Sequence, residues 1–211
     1  MSQQDDIEYQ LDTLAIRTGH TRSFEGEHGE PIFLTSSFVY ENAAEAAAKF
    51  SGQEPGNIYS RFTNPTVAMF EKRLAALEGA ERAVATSTGM AAIMAVAMSY
   101  LKLGDHVICS RAVFGSTVSL FEKYVAKFGV SVDFVDLTDL AAWKNAIKPE
   151  TKLLFVESPS NPLSEIADIQ ALADIAHANG ALLAIDNSFC TPVLQQPIKF
   201  GADLVVYSAT K

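Results

Sequence analysis

Residues 152–186 read KLLFVESPSNPLSEIADIQALADIAHANGALLAID. Two apolar runs, Lys152–Glu157 and Ala181–Asp186, flank a segment in which Ile169, Leu172 and Ile175 recur at helical spacing and Gly180 closes the repeat. Short, continuous apolar runs bounded by turn residues mark strands covered on both faces. Strand, helix and strand in this order predict a βαβ unit, and therefore a parallel pair.

The same alternation extends in both directions. His106–Ser110 and Val130–Val135 read as strands, and Asp203–Tyr207 as another. Ser116–Phe128 reads as one helix, with Val118, Phe121 and Val125 in step and Gly129 after it; Asp139–Ile147 reads as a second. Arg82–Thr86 is expected to be a short strand, followed by a helix over Gly89–Lys102 whose apolar residues on most faces predict burial. Asn64-Pro65 opens a further helix, because Asn caps and Pro suits the first turn; Val67, Phe70, Leu74 and Leu77 continue it to Gly79. The predicted class is α/β, a mostly parallel sheet covered by helices on both faces.

Residues 1–60 differ. They are polar, with short apolar patches at Ile32–Leu34 and Phe38–Tyr40 and an Ala-rich stretch, Asn42–Phe50, that predicts one helix. They are expected to form an extended arm that packs on something else, with 61–211 as the α/β domain. The sequence stops at Lys211, just past an apolar strand, so the chain is expected to continue.

Composition narrows the class. Among 211 residues, 48% are hydrophobic and 19% charged, a globular balance. The formal charge of −9 disfavours nucleic acid and anionic membranes as partners. The longest apolar run, Met90–Met98, is too short to span a bilayer, and no secretory signal opens the chain. Cys109 and Cys190 form no CxxC pair, which favours a cytoplasmic protein with reduced thiols. His20, His28, His106 and His177 show no metal spacing.

In open α/β sheets, ligands bind beyond the carboxyl ends of the strands. Ser87-Thr88-Gly89-Met90 enters a helix N-terminus, whose N–H groups suit a phosphate; an ordinary capped turn fits as well. Asp186 ends an apolar strand, where an acid caps a turn, pairs with a cation or meets a protonated ligand atom. Asn161 could bond a ligand oxygen or simply shape a turn. Lys211 follows Ser208 and Thr210; desolvated, it would be a nucleophile toward carbonyls, and solvated, an ordinary surface lysine. A phosphate cradle, a buried carboxylate, an amide and a lysine together point to pyridoxal phosphate.

Tyr59–Thr66 (YSRFTNPT), Ser87–Ala92 (STGMAA), Glu157–Pro162 (ESPSNP), Asp186-Asn187 and Ser208–Lys211 (SATK) resemble, in order and spacing, the Cys/Met-metabolism pyridoxal-phosphate enzymes. The resemblance covers residue 10 onward. It implies the aspartate-aminotransferase-like fold (fold type I) and a chain about twice as long. It implies that Lys211 forms the Schiff base and shuttles protons, and that Asp186 pairs with the pyridine nitrogen. Asn161 would lie near the phenolic oxygen. Ser87, Gly89, Met90, Ser208 and Thr210 would surround the phosphate. Tyr59 and Arg61 would reach a neighbouring subunit's site, making a homo-oligomer obligate.

Many relatives carry a stacking tyrosine where this chain has Phe114, in Val113–Thr117 (VFGST). That pattern resembles the O-succinylhomoserine sulfhydrylase branch. It implies γ-replacement on an amino-acid substrate, O-succinyl-L-homoserine, by sulfide. Cystathionine γ-synthase and γ-lyase are the neighbouring alternatives. A nicotinamide-dependent oxidoreductase fits the alternation, but no GxGxxG follows any strand.

Overall fold

The computed structural model describes residues 9–211. They form two compact units, divided after Ala85.

Among the described residues, the first unit holds three helices, α1 (Leu11–Arg17), α2 (Ala43–Phe50) and α3 (Pro65–Glu78). The Asn42 side chain caps α2 by accepting from the Glu45 N–H at 2.9 Å. Asn64 caps α3 by accepting from the Thr66 N–H at 2.9 Å, with Pro65 in the first turn, and Gly79 closes the helix in the left-handed conformation. Composition placed the boundary at residue 60, but α3 belongs with the segment before it. The Asn64 Nδ2 donates to the Phe33 carbonyl at 3.1 Å, and the Arg73 Nε to the Thr18 carbonyl at 2.9 Å. The α1 helix, unforeseen from composition, packs on α3. Arg82–Thr86 is not a strand: it pairs with no other strand, and the Ala85 N–H donates instead to Glu71 Oε1 at 2.7 Å.

In the second unit, α4 (Gly89–Tyr100) leads to β1 (His106–Ser110) and the short α5 (Gly115–Ser119). Then come β2 (Ser131–Val135), α6 (Leu140–Ala146), β3 (Thr151–Glu157), α7 (Ile169–Ala178), β4 (Leu182–Asp186), α8 (Thr191–Leu194) and β5 (Leu204–Val206). All strand pairs are parallel, in the order β2-β1-β3-β4-β5. Alternation along the strands divides the core. Ile108, Leu154, Val156, Leu183 and Ile185 pack with Trp143 of α6 and Leu172 of α7. Val107, Cys109, Leu153, Phe155 and Ala184 pack on the other side with Ile93 of α4 and with Phe121. Helices therefore cover both faces.

Two helical expectations change. α5 gives way to a π turn over Leu120–Tyr124 and a 3₁₀ turn over Val125–Phe128. The widened turn brings Leu120, Phe121 and Val125 into the core together, and the Phe121 ring tilts against Phe155 at 5.4 Å. α4 is not buried all round: Ile93 and Ala97 form one buried stripe, while Met98 and Tyr100 stay exposed. No helix among the described residues is long and apolar enough to cross a membrane.

Candidate active site

The strand order reverses between β1 and β3, because the chain runs outward to β2 and then returns to the other side of β1. Such a switch point opens a crevice at the carboxyl ends of the strands. β1, β3 and β4 end there on Ser110, Glu157 and Asp186.

Asp186 and Glu157 are register partners on adjacent strands, and both are buried. Burial pushes the Asp186 carboxyl up; Ser188 opposes this, its hydroxyl donating to Asp186 Oδ1 at 2.6 Å and its N–H to the same oxygen at 3.1 Å. Burial pushes Glu157 up to about 7, with the Asp186 charge adding to the rise. The Phe114 N–H, donating to Glu157 Oε2 at 2.6 Å, and the Lys211 ammonium both pull it back.

A second link joins Asp186 to the chain after β5. The Ser188 hydroxyl, which donates to Asp186, accepts from the Ser208 N–H at 2.8 Å. Ser208 in turn meets the start of α4. A Cβ placed on Gly89 would lie 2.8 Å from the Ser208 Cβ and 3.1 Å from its Oγ. Only glycine allows this approach. Thr88 caps α4, its hydroxyl accepting from the Ala91 N–H at 3.0 Å. The N–H groups of Gly89 and Met90 belong to the first turn and have no carbonyl within the helix to bond. At the free start of a helix whose first residue lies against Ser208, they suit an anion.

Asn187 forms the floor beneath. Its Nδ2 donates to the Gln195 carbonyl at 2.8 Å and to the Tyr207 hydroxyl at 2.7 Å. Gln195 Nε2 donates to Asn187 Oδ1 at 2.8 Å and to the Ser158 carbonyl at 2.9 Å. The Asn187 and Gln195 amides together tie the segments that follow β3, β4 and β5.

The other expected residues take varied positions. Phe114 heads α5 with its ring about half exposed. Lys211, the last residue of the sequence, is exposed, and its N–H donates to the Ser208 carbonyl at 3.2 Å. Ser87 and Thr210 are exposed beside the cradle segments. Asn161 sits in the turn after β3, and among the described residues no hydrogen bond joins its side chain to the Asp186 group. Tyr59 and Arg61 belong to the first unit, where the guanidinium lies over the Tyr59 ring at 5.2 Å and the Phe62 ring at 5.0 Å. Glu157 and Ser188 were not foreseen as site residues. Their signals were an acid closing a second apolar strand and a Ser two residues after a terminal Asp.

The Cys/Met metabolism PLP-dependent enzyme family model matches residues 12–211. The chain belongs to this family. The O-succinylhomoserine sulfhydrylase of Pseudomonas aeruginosa is 66% identical over 201 residues, covering 95% of this chain and 50% of that protein. An L-methionine gamma-lyase of Fusobacterium nucleatum subsp. polymorphum is 42% identical, covering 96% of this chain and 52% of its own. A crystal structure designated an O-acetylhomoserine (thiol)-lyase, from Campylobacter jejuni, superposes with a TM-score of 0.92 at 35% identity. It covers 97% of this chain and 50% of that one, and contains a pyridoxyl-lysine monophosphate. The chain spans about half the length of the curated relatives it matches. Its parallel sheet and flanking helices are those of the Cys/Met metabolism PLP-dependent fold.

Proposed function

We propose that the full-length protein uses pyridoxal phosphate to replace the succinyl ester of O-succinyl-L-homoserine with sulfide, giving L-homocysteine and succinate. The observation that carries this reading is the 66% identity to an O-succinylhomoserine sulfhydrylase across nearly the whole chain. The site residues support it. Gly89, with a neighbour where its Cβ would stand, and the first-turn N–H groups fit a phosphate better than an ordinary capped turn requires.

In this reading, the Gly89 and Met90 N–H groups and the Ser208 and Thr210 hydroxyls hold the phosphate. Asp186, fixed through Ser188, offers its carboxylate to the ring nitrogen and stabilises a proton there. Phe114 stacks on the ring and excludes water from one face, but offers no hydroxyl as a proton donor. Asn161 bonds the phenolic oxygen. Bound there, pyridoxal phosphate supplies a carbonyl for the substrate amine and an electron-withdrawing ring. Lys211 Nζ is the covalent anchor and then the base that carries protons between the substrate's α and β carbons. Lys211 would take a proton from the β carbon as succinate leaves the γ carbon with the C–O electron pair, and return it there as hydrosulfide forms the new C–S bond at the γ carbon.

Tyr59 and Arg61 act in a neighbouring subunit's site, so the working form is a homo-oligomer, and its place of action is the cytoplasm. The test is turnover of O-succinyl-L-homoserine with sulfide, with cysteine, and with no added nucleophile. Faster homocysteine release with sulfide supports the reading. Equal or better turnover with cysteine replaces it with a cystathionine γ-synthase. The 42% identity to an L-methionine gamma-lyase favours elimination as the second reading, and 2-oxobutyrate release from methionine would establish that one.

A further inference from the structure

We propose that Glu157 is a positioning residue that holds Phe114 against the cofactor ring by accepting the Phe114 backbone N–H. The proposal rests on the pyridoxal-phosphate reading above and adds a residue to it.

The geometry is specific to the switch point. Phe114 lies on the connection leaving β1, and Glu157 closes β3, the strand paired with β1. Their bond, Phe114 N–H to Glu157 Oε2 at 2.6 Å, crosses the crevice between the two connections. Glu157 is only 5% exposed, and its backbone is fixed in register with Asp186. The acceptor is therefore built on the same edge of the sheet as Asp186, on the adjacent strand. Phe114 has few other restraints. Its ring is about half exposed, and among the described residues its carbonyl accepts from the first turn of α5, the Thr117 N–H at 2.8 Å and the Val118 N–H at 3.3 Å. A glycine, Gly115, follows directly. Without the carboxylate, the ring keeps its identity but loses its fixed height above the sheet edge.

Reach and charge can be separated. Glu157→Gln keeps the length and an oxygen acceptor but loses the charge. Glu157→Asp keeps the charge but is one methylene short of the Phe114 N–H. The readouts are the induced circular dichroism of the bound cofactor and the cofactor Kd, both measured on the full-length protein with far-UV dichroism confirming the fold. Gln should keep most of the induced band, with Kd within about twofold. Asp should lose most of the band and raise Kd about tenfold, because its acceptor no longer reaches the Phe114 N–H. In a Phe114→Ala background, the Gln and Asp variants should become indistinguishable.

A coloured wild type in which Asp equals or exceeds Gln overturns the positioning role while leaving the cofactor reading intact. So does an Asp effect that persists undiminished without the Phe114 ring. A wild type that stays colourless with pyridoxal phosphate overturns both. Because the two variants are compared with each other, one that fails to fold leaves the other, against wild type, to decide the question.

Discussion

Gly89→Ala puts the anion cradle under direct strain. The added methyl would lie 2.8 Å from the Ser208 Cβ and 3.2 Å from its Cα. Carbon atoms in good contact sit about 3.5–4.0 Å apart, so the approach is short by roughly 0.7 Å. The atoms in the way are the root of Ser208 and its backbone, which cannot swing aside as the tip of a long side chain can. Either α4 or the Ser208–Lys211 turn must move. Overpacking of this kind costs about 1–3 kcal/mol. The helical preference of Ala over Gly returns at most about 1 kcal/mol. A net loss of about 1–2 kcal/mol is therefore expected in urea unfolding of the full-length apoprotein. Parting the two segments also widens the cradle, and cofactor Kd should rise about tenfold, equivalent to roughly 1.4 kcal/mol. The Ala91→Gly variant, placed in the same helix but away from the contact, should weaken the helix and leave Kd nearly unchanged. A Gly89→Ala protein as stable as wild type, with unaltered Kd, would refute the steric reasoning.

Four further outcomes follow from the same geometry. His106 is buried, with Nδ1 2.8 Å from the Thr151 hydroxyl and Nε2 3.2 Å from Asp133 and 3.4 Å from the Lys148 ammonium. Burial, and then Lys148, hold its pKa below 6.5, so the unfolded chain takes up the proton first. Stability should be full above about pH 6.5 and fall as the pH drops below it, and His106→Gln should flatten that slope in unfolding midpoints. For Glu157, whose pKa rises from 4.5 to about 7, the sign is opposite: stability is lost as pH rises through that window, so Glu157→Gln should gain on wild type between pH 4.5 and 7. A constant difference across the window counts against the buried carboxyl. Asp186→Asn should retain the fold but lose roughly ten- to a hundredfold in turnover, the value of one hydrogen bond to a charged partner. Arg61→Ala and Lys211→Ala should each be inactive, yet regain part of the activity when mixed and reassembled; no recovery would mean that the sites are not shared.

The strands of the sheet were legible because both of their faces are covered, and runs such as LLFV and LLAI have no other stable place. The cap was legible at Asn64, where one side chain determines one bond. Arg82–Thr86 misled because its composition suits a strand while its Ala85 N–H finds the Glu71 carboxylate. Ser116–Phe128 kept its helical rhythm, but the path of the backbone was decided by where Phe121 could meet Phe155. Within the candidate site, Gly89, Asp186 and Ser208 could be named from the sequence because each belongs to a local motif, and the structure brings them near one another. Glu157 was not, since its role appears only when β3 lies beside β1 and the Phe114 N–H arrives from a segment 43 positions away.

Anion binding on the peptide nitrogens of Gly89 and Met90, as proposed, has a practical consequence. Truncating side chains cannot delete those donors, so scanning with alanine would assign Met90 little importance however much binding it provides. Replacing the amide by an ester at either position, or adding bulk where Gly89 tolerates none, interrogates the contribution that conventional mutagenesis leaves silent.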